Sequence, residues 1–188
     1  MEDLQVAEAA GKSEAKSLGY ETKVRISSSG TMADFPLITT PDIKPAIVSF
    51  VTEAVKNGLL TEDRLVMLDE DPRKILDELV EIEARWRNRY IRESMGMIYS
   101  SHIIRQTIVR PEARLILPID EKTLEGVRDI YDNPDNLNPR PTIALLPEFA
   151  GVDCNLHDGN ISSYNGYREF AKNVEKSARL AVRKALRD

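Results

Sequence analysis

The strongest constraint on this chain is the helical spacing of apolar residues in its C-terminal segment, residues 164–187. Six small or apolar side chains recur there every three or four residues, which places them on one face of a helix: Tyr167, Phe170, Val174, Ala178, Ala181 and Ala185. Basic residues crowd the last turns, where they complement the negative end of the helix dipole. Such a helix must bury its apolar face against other elements, so the sequence predicts a helix-rich core.

Three further segments show helical spacing and predict helices over residues 41–57, 72–95 and 120–131. Pro72 suits a first helical turn, and Asp120 suits an N-cap. Because the apolar pattern after Pro72 continues to about residue 109, longer than most helices, we expect a break near Gly96 or Ser100. A turn or short helix is expected from Thr61 through Leu68.

Alternating apolar and polar residues over 20–27 predict a strand with one solvent-facing side, and short apolar runs predict strands over 113–117 and 142–146. Their pairing does not follow from the sequence. We therefore expect an α+β, mainly α fold, with a helical core, a few short strands and an extended N-terminal arm. The predicted domains are an arm over residues 1–40, containing a short strand, and one helix-rich globular domain over residues 41–188. Residues 1–19 suit either a short amphipathic helix or a flexible arm.

The composition bounds the class of protein. Apolar residues make up 41% of the chain, enough for a core, and the one cysteine, Cys154, cannot form an intrachain disulfide. The N-terminus lacks the basic start and apolar run of a secretory signal, and no stretch approaches the ~20 apolar residues that span a bilayer. We expect a cytoplasmic protein, or a component of an assembled particle, with no membrane partner.

Charge is arranged in blocks along the chain. The net charge is −5, which argues against a nucleic-acid coat that works by bulk charge. Residues 61–83 and 115–167 are acidic, whereas residues 84–114 and 168–188 are basic. Blocks of this kind pair either within one fold or between copies in an assembly.

An arginine stripe is the first candidate site. Arg85, Arg89 and Arg92 are spaced to share one helix face, with Arg87 off that face. Arginines beside aromatic residues such as Trp86 are typical of phosphate or nucleic-acid contact. The structural alternative is that Glu81 and Glu83 pair with the arginines four residues later and that Trp86 belongs to the core.

A second candidate combines Cys154, His157 and Asp158 with the distant His102. A thiol and an imidazole form a nucleophile and base only if the fold brings them together. The alternative is an ordinary turn with a small buried cysteine. No catalytic residue, metal site or cofactor is predicted from these residues.

Three functions are consistent with the sequence. The first is a structural or assembly subunit of a homo-oligomer, such as a virus or phage particle (virion) component, working through arm exchange and charge-complementary subunit contacts. The second is a nucleic-acid-associated module using the arginine stripe and the basic C-terminal helix. The third is an enzyme with a Cys/His/Asp site, although a non-enzymatic role is favoured and no small-molecule substrate is inferred.

Overall fold

The α+β, mainly α fold is confirmed. The computed structural model describes residues 4–29, 48, 51–52, 54–56, 58–70, 72–98, 109–131, 140–154, 156 and 163–187. Its helices are α1 (Leu4–Ser17), α2 (Asp63–Glu70), α3 (Pro72–Met95), α4 (Glu121–Tyr131), α5 (Leu146–Ala150) and α6 (Tyr164–Ala185). The strands are β1 (Leu115–Ile116) and β2 (Thr142–Ile143). Residues 48, 51–52 and 54–56 are also helical; the rest of the helix predicted over 41–57 lies outside the described residues.

Local sequence signals set the ends of the helices. The helix α3 ends at Met95 because Gly96 adopts a left-handed conformation (φ 64°), which confirms the predicted break. Asp120 caps α4, since its Oδ1 accepts a hydrogen bond from the Thr123 backbone N–H (2.7 Å). Ser163 caps α6 in the same way through the Gly166 N–H.

The sheet consists of two short parallel strands. Leu115 pairs with Thr142, and Ile116 pairs with Ile143. The segment after β2 was expected to continue as a strand to residue 146, but it turns into α5, with Pro147 in its first turn and Gly151 at its C-terminal end.

The N-terminal segment contains a helix that packs on its own chain. Of the two alternatives for residues 1–19, the helix is the one found, and α1 lies mainly along α6. The strand predicted over residues 20–27 is wrong: this segment is irregular. The segment is instead attached to α1 by side-chain contacts. Ile26 packs against Gly11 of α1. Just after the segment, the Ser28 N–H and hydroxyl donate to Glu8 Oε2 (2.9 and 2.6 Å). The predicted boundary at residue 40 lies outside the described residues, so that division stays a prediction.

The main core lies between α1, α3 and α6. Tyr90 and Ile91 of α3 meet the apolar face of α6, and Leu146 of α5 closes one side. The surfaces of α1 and α6 that face this core are rich in small buried residues: Ala9, Ala10, Gly11, Ala15, Ala171, Ser177, Ala178 and Ala181. A second, smaller cluster surrounds Ile75 near the start of α3.

No helix in the described ranges combines the length and apolar character required to cross a membrane.

Candidate nucleic-acid interface

The arginine stripe lies on the solvent face of α3. Arg85, Arg89 and Arg92 are all exposed, whereas Arg87 points to the opposite side and is only 7% exposed. Trp86 packs against the main core, with its ring centroid 6.0 Å from that of Tyr167. The helical spacing therefore separates a basic outer face from a core face, as the sequence indicates.

The two ion pairs expected within this part of α3, from Glu81 to Arg85 and from Glu83 to Arg87, are not formed. The Arg85 Nε donates to the backbone carbonyl of Glu81 (3.3 Å) rather than to its carboxylate. Arg87 forms no ion pair with Glu83 or with any other described residue. The guanidinium groups of Arg85 and Arg92 consequently have no carboxylate partner among the residues that the structure describes.

A compact cluster joins the stripe to the start of α6. The Arg89 guanidinium lies 4.0 Å from the centroid of the Tyr164 ring, and its Nε donates to Glu93 Oε1 (2.8 Å). The Tyr164 hydroxyl donates to the other oxygen of the same carboxylate (2.7 Å). These two hydrogen bonds, from Tyr164 first and then Arg89, hold the pKa of Glu93 below its ordinary value. Glu93 therefore stays ionised and fixes Arg89 against the aromatic ring.

The cluster connects α3 to a line of cations on α6. Arg168 lies near enough to interact electrostatically with Glu93 and Tyr164. From it, Lys172 and Lys176 follow at intervals of four residues on the exposed face, about 6 Å apart along the helix axis. Glu169 binds Lys172 (2.7 Å), whereas Arg168 and Lys176 make no ion pair within the described chain. The sequence predicts α6 only as a basic helix, but the four-residue spacing of these cations is the signal that could have identified the line.

Two other arginines of α6 have a structural role. Glu14 of α1 is buried, and it accepts hydrogen bonds from Arg183 Nε (2.6 Å) and Arg179 Nη1 (3.1 Å). The hydrogen bond from Arg183 is the largest influence that holds the Glu14 pKa below its ordinary value. Arg179 also binds Glu175 (2.8 Å), whose other oxygen accepts from the Tyr90 hydroxyl (2.7 Å). These contacts tie α1, α3 and α6 together and leave Arg179 and Arg183 paired with carboxylates.

The buried Arg87 is unusual. Its Nε is buried without a hydrogen-bond partner among the described residues, and so is the Oδ1 of its neighbour Asn88. A buried unsatisfied polar group destabilises the folded state. We find no function for Arg87, but its removal has a predictable consequence for stability.

The proposed Cys/His/Asp site is only partly described. Cys154 is half-buried against the main core, with its Sγ 3.9 Å from the Ser177 hydroxyl. His102, His157 and Asp158 lie outside the described residues, so their convergence stays a prediction. Within the described ranges, no group of three or more histidine, cysteine or acidic side chains is placed to hold a metal ion.

No protein-family model, curated protein or solved structure matches this chain.

Proposed function

We propose that this protein binds the phosphate backbone of nucleic acid through the exposed basic face that α3 and α6 share. The observation that carries the proposal is the line formed by Arg168, Lys172 and Lys176, which meets the arginine stripe of α3 at Tyr164. Lysine and arginine contacts to phosphate supply most of the affinity for nucleic acid without reading its sequence.

The spacing of these cations suits a polymer better than a small anion. Arg168 and Lys176 are two helical intervals apart, about 12 Å along the axis. This interval matches neighbouring phosphates along a strand better than it matches a single phosphate group. The chain carries a net charge of −5, so binding depends on this local face and not on overall attraction.

The test is fluorescence anisotropy with short labelled oligonucleotides, single-stranded and duplex, at increasing salt. The double variant Arg168→Gln/Lys176→Gln is compared with Lys23→Gln/Lys122→Gln, which removes the same charge from exposed lysines elsewhere. Each lost phosphate contact should reduce the slope of log affinity against log salt by roughly 0.7 for a single strand or 0.9 for a duplex. Equal loss of affinity in both variants, or binding that does not depend on salt, would reject the proposal.

We also propose, as a second candidate, that the protein is an assembly subunit that exchanges α1 between copies, in the cytoplasm or within a particle. The supporting observation is the specific attachment of α1, in which one buried carboxylate binds Arg179 and Arg183 of α6. The same contacts would form equally well between two chains, which is the basis of domain swapping.

A disulfide trap distinguishes the two arrangements. A side chain at Gly11 would lie 3.5 Å from a methyl group of Val182, so cysteines at these positions are close enough to react. With Cys154 replaced by serine, and Ile26 by alanine to make room for a side chain at residue 11, Gly11→Cys/Val182→Cys should give a covalent dimer on a non-reducing gel if α1 is exchanged. A monomer with an intrachain disulfide, together with a monomeric mass by light scattering, would reject this candidate.

A further inference from the structure

A surface depression between α4 and β2 is separate from the α3–α6 surface. It encloses about 440 Å³ and is lined by Arg128, Tyr131, Arg140, Pro141 and Ile143. This volume falls within the range of small-molecule sites. The lining combines two cations with an apolar wall, and it contains no carboxylate among the described residues.

Neither arginine is neutralised by a residue that the structure describes. Arg128 and Arg140 are exposed, and neither guanidinium group forms an ion pair or hydrogen bond within the described part of the chain. Arg128 lies in the last turn of α4, where it also complements the helix dipole. Among the described residues, the segment before β1 contains a long ion pair between Arg110 and Glu112 (3.9 Å), and neither of these residues lines the depression. The positive charge at the depression is therefore available to a ligand.

Two hydrogen bonds connect the elements around the depression. Tyr131 is buried, and its hydroxyl accepts a hydrogen bond from the Arg110 backbone N–H (3.1 Å), which attaches the end of α4 to the segment before β1. Pro141 restricts the backbone that enters β2, and the Thr142 N–H donates to the Arg114 carbonyl (2.9 Å). Arg140 thus projects from a position held by both proline and the sheet.

We propose that this depression binds a small organic phosphate, with the phosphoryl group between Arg128 and Arg140 and an apolar body against Pro141 and Ile143. The planar guanidinium group presents paired N–H donors that match the oxygens of a phosphate. The apolar wall favours a phosphate ester over inorganic phosphate. A bound nucleic-acid strand is the competing occupant, and the experiment separates the two.

The test is isothermal titration calorimetry of the full chain with phenyl phosphate, inorganic phosphate and benzyl alcohol. Phenyl phosphate should bind most tightly, inorganic phosphate at least several-fold more weakly, and benzyl alcohol not measurably. Arg128→Gln and Arg140→Gln should each weaken phenyl phosphate binding by roughly tenfold or more, the loss of one charge-assisted contact. Arg140→Lys keeps the positive charge but lacks the planar guanidinium group. Its affinity for phenyl phosphate should therefore lie between those of the wild type and Arg140→Gln.

The control variant is Arg114→Gln, because Arg114 is exposed and close in sequence to β1 but does not line the depression. It should bind phenyl phosphate like the wild type. Urea unfolding of each variant checks that the fold is retained, as expected for exposed side chains.

Three results would overturn the proposal: no phenyl phosphate binding at millimolar concentration, equal binding by the variants and the wild type, or equal affinity for inorganic phosphate and phenyl phosphate. Displacement of phenyl phosphate by an oligonucleotide, with loss of oligonucleotide binding in Arg140→Gln, would assign the depression to nucleic acid instead. The phenyl phosphate test does not depend on the proposed function, because the depression and the α3–α6 surface share no residue. If Arg168→Gln/Lys176→Gln does not weaken nucleic-acid binding, the expected results for phenyl phosphate stay the same.

Discussion

Replacing Glu14 with glutamine tests how α1 is held on α6. The Glu14 side chain is 4% exposed, and it accepts hydrogen bonds from Arg183 and Arg179. Hydrogen bonds to charged groups contribute about 1.5–3 kcal/mol each. The combined contribution of the two hydrogen bonds is smaller than their sum, because Arg183 is 50% exposed and Arg179 keeps its bond to Glu175. We therefore expect Glu14→Gln to lower the free energy of unfolding by roughly 2 kcal/mol in total.

The assay is urea unfolding at neutral pH, followed by circular dichroism. With a typical m-value, the expected loss moves the midpoint down by about 1 M urea without changing the slope. The double variant Glu14→Gln/Arg183→Gln should lose less than the sum of the two single variants, because the single changes remove the same contact.

The matched control is Glu169→Gln, which removes an exposed carboxylate that pairs with Lys172 on the outer face of α6. It should leave the midpoint unchanged, because exposed ion pairs contribute little. A wild-type midpoint for Glu14→Gln, or strict additivity in the double variant, would refute the idea that this carboxylate anchors α1.

Three further predictions concern the same helical core. First, the pKa of Glu14 is lowered from its ordinary value of 4.5. Its contribution to the free energy of unfolding is therefore complete above pH 4.5 and is lost as the pH falls through the lowered pKa. In urea titrations at acid pH, the free energies of unfolding of the wild type and Glu14→Gln should converge. Second, Arg87→Met should raise the free energy of unfolding by about 1 kcal/mol. It keeps the aliphatic part of the side chain but removes the buried Nε, which has no hydrogen-bond partner among the described residues. A lower urea midpoint would contradict this prediction. Third, Gly11→Val should lower the thermal midpoint by several degrees, since even a Cβ at Gly11 would lie 3.3 Å from two methyl groups of Ile26; an unchanged midpoint in a calorimetric scan would show that this packing relaxes freely.

The long helices could be predicted from the sequence because their signals are local. Apolar spacing, a proline in the first turn and a glycine after the last turn define α3 as Pro72–Met95, the range predicted. Asp120 marks the start of α4 for the same reason. The solvent and core faces of α3 also follow from spacing alone, since Arg85 and Arg87 lie two residues apart and therefore on different sides.

Features that depend on distant residues could not be predicted. The alternation over residues 20–27 does not form a strand: Ile26 packs against Gly11 of α1 instead, and Ser28, just after the segment, binds Glu8. A two-residue apolar period indicates that one side of a segment is buried, but it does not indicate which element packs against that side. The depression lined by Arg128 and Arg140 has no sequence signal, because these two arginines belong to separate segments that only the folded chain places around one depression.

The small residues between α1 and α6 affect the entropy of docking. Alanine and glycine have no side-chain rotamers to lose, so bringing the two helices together immobilises few torsions beyond the backbone. Affinity at this contact therefore depends on close approach of the two helix backbones, and any larger side chain would hold them apart. Evolution of this segment should consequently tolerate changes in charge at its outer face far more readily than a gain of one or two methyl groups at its inner face.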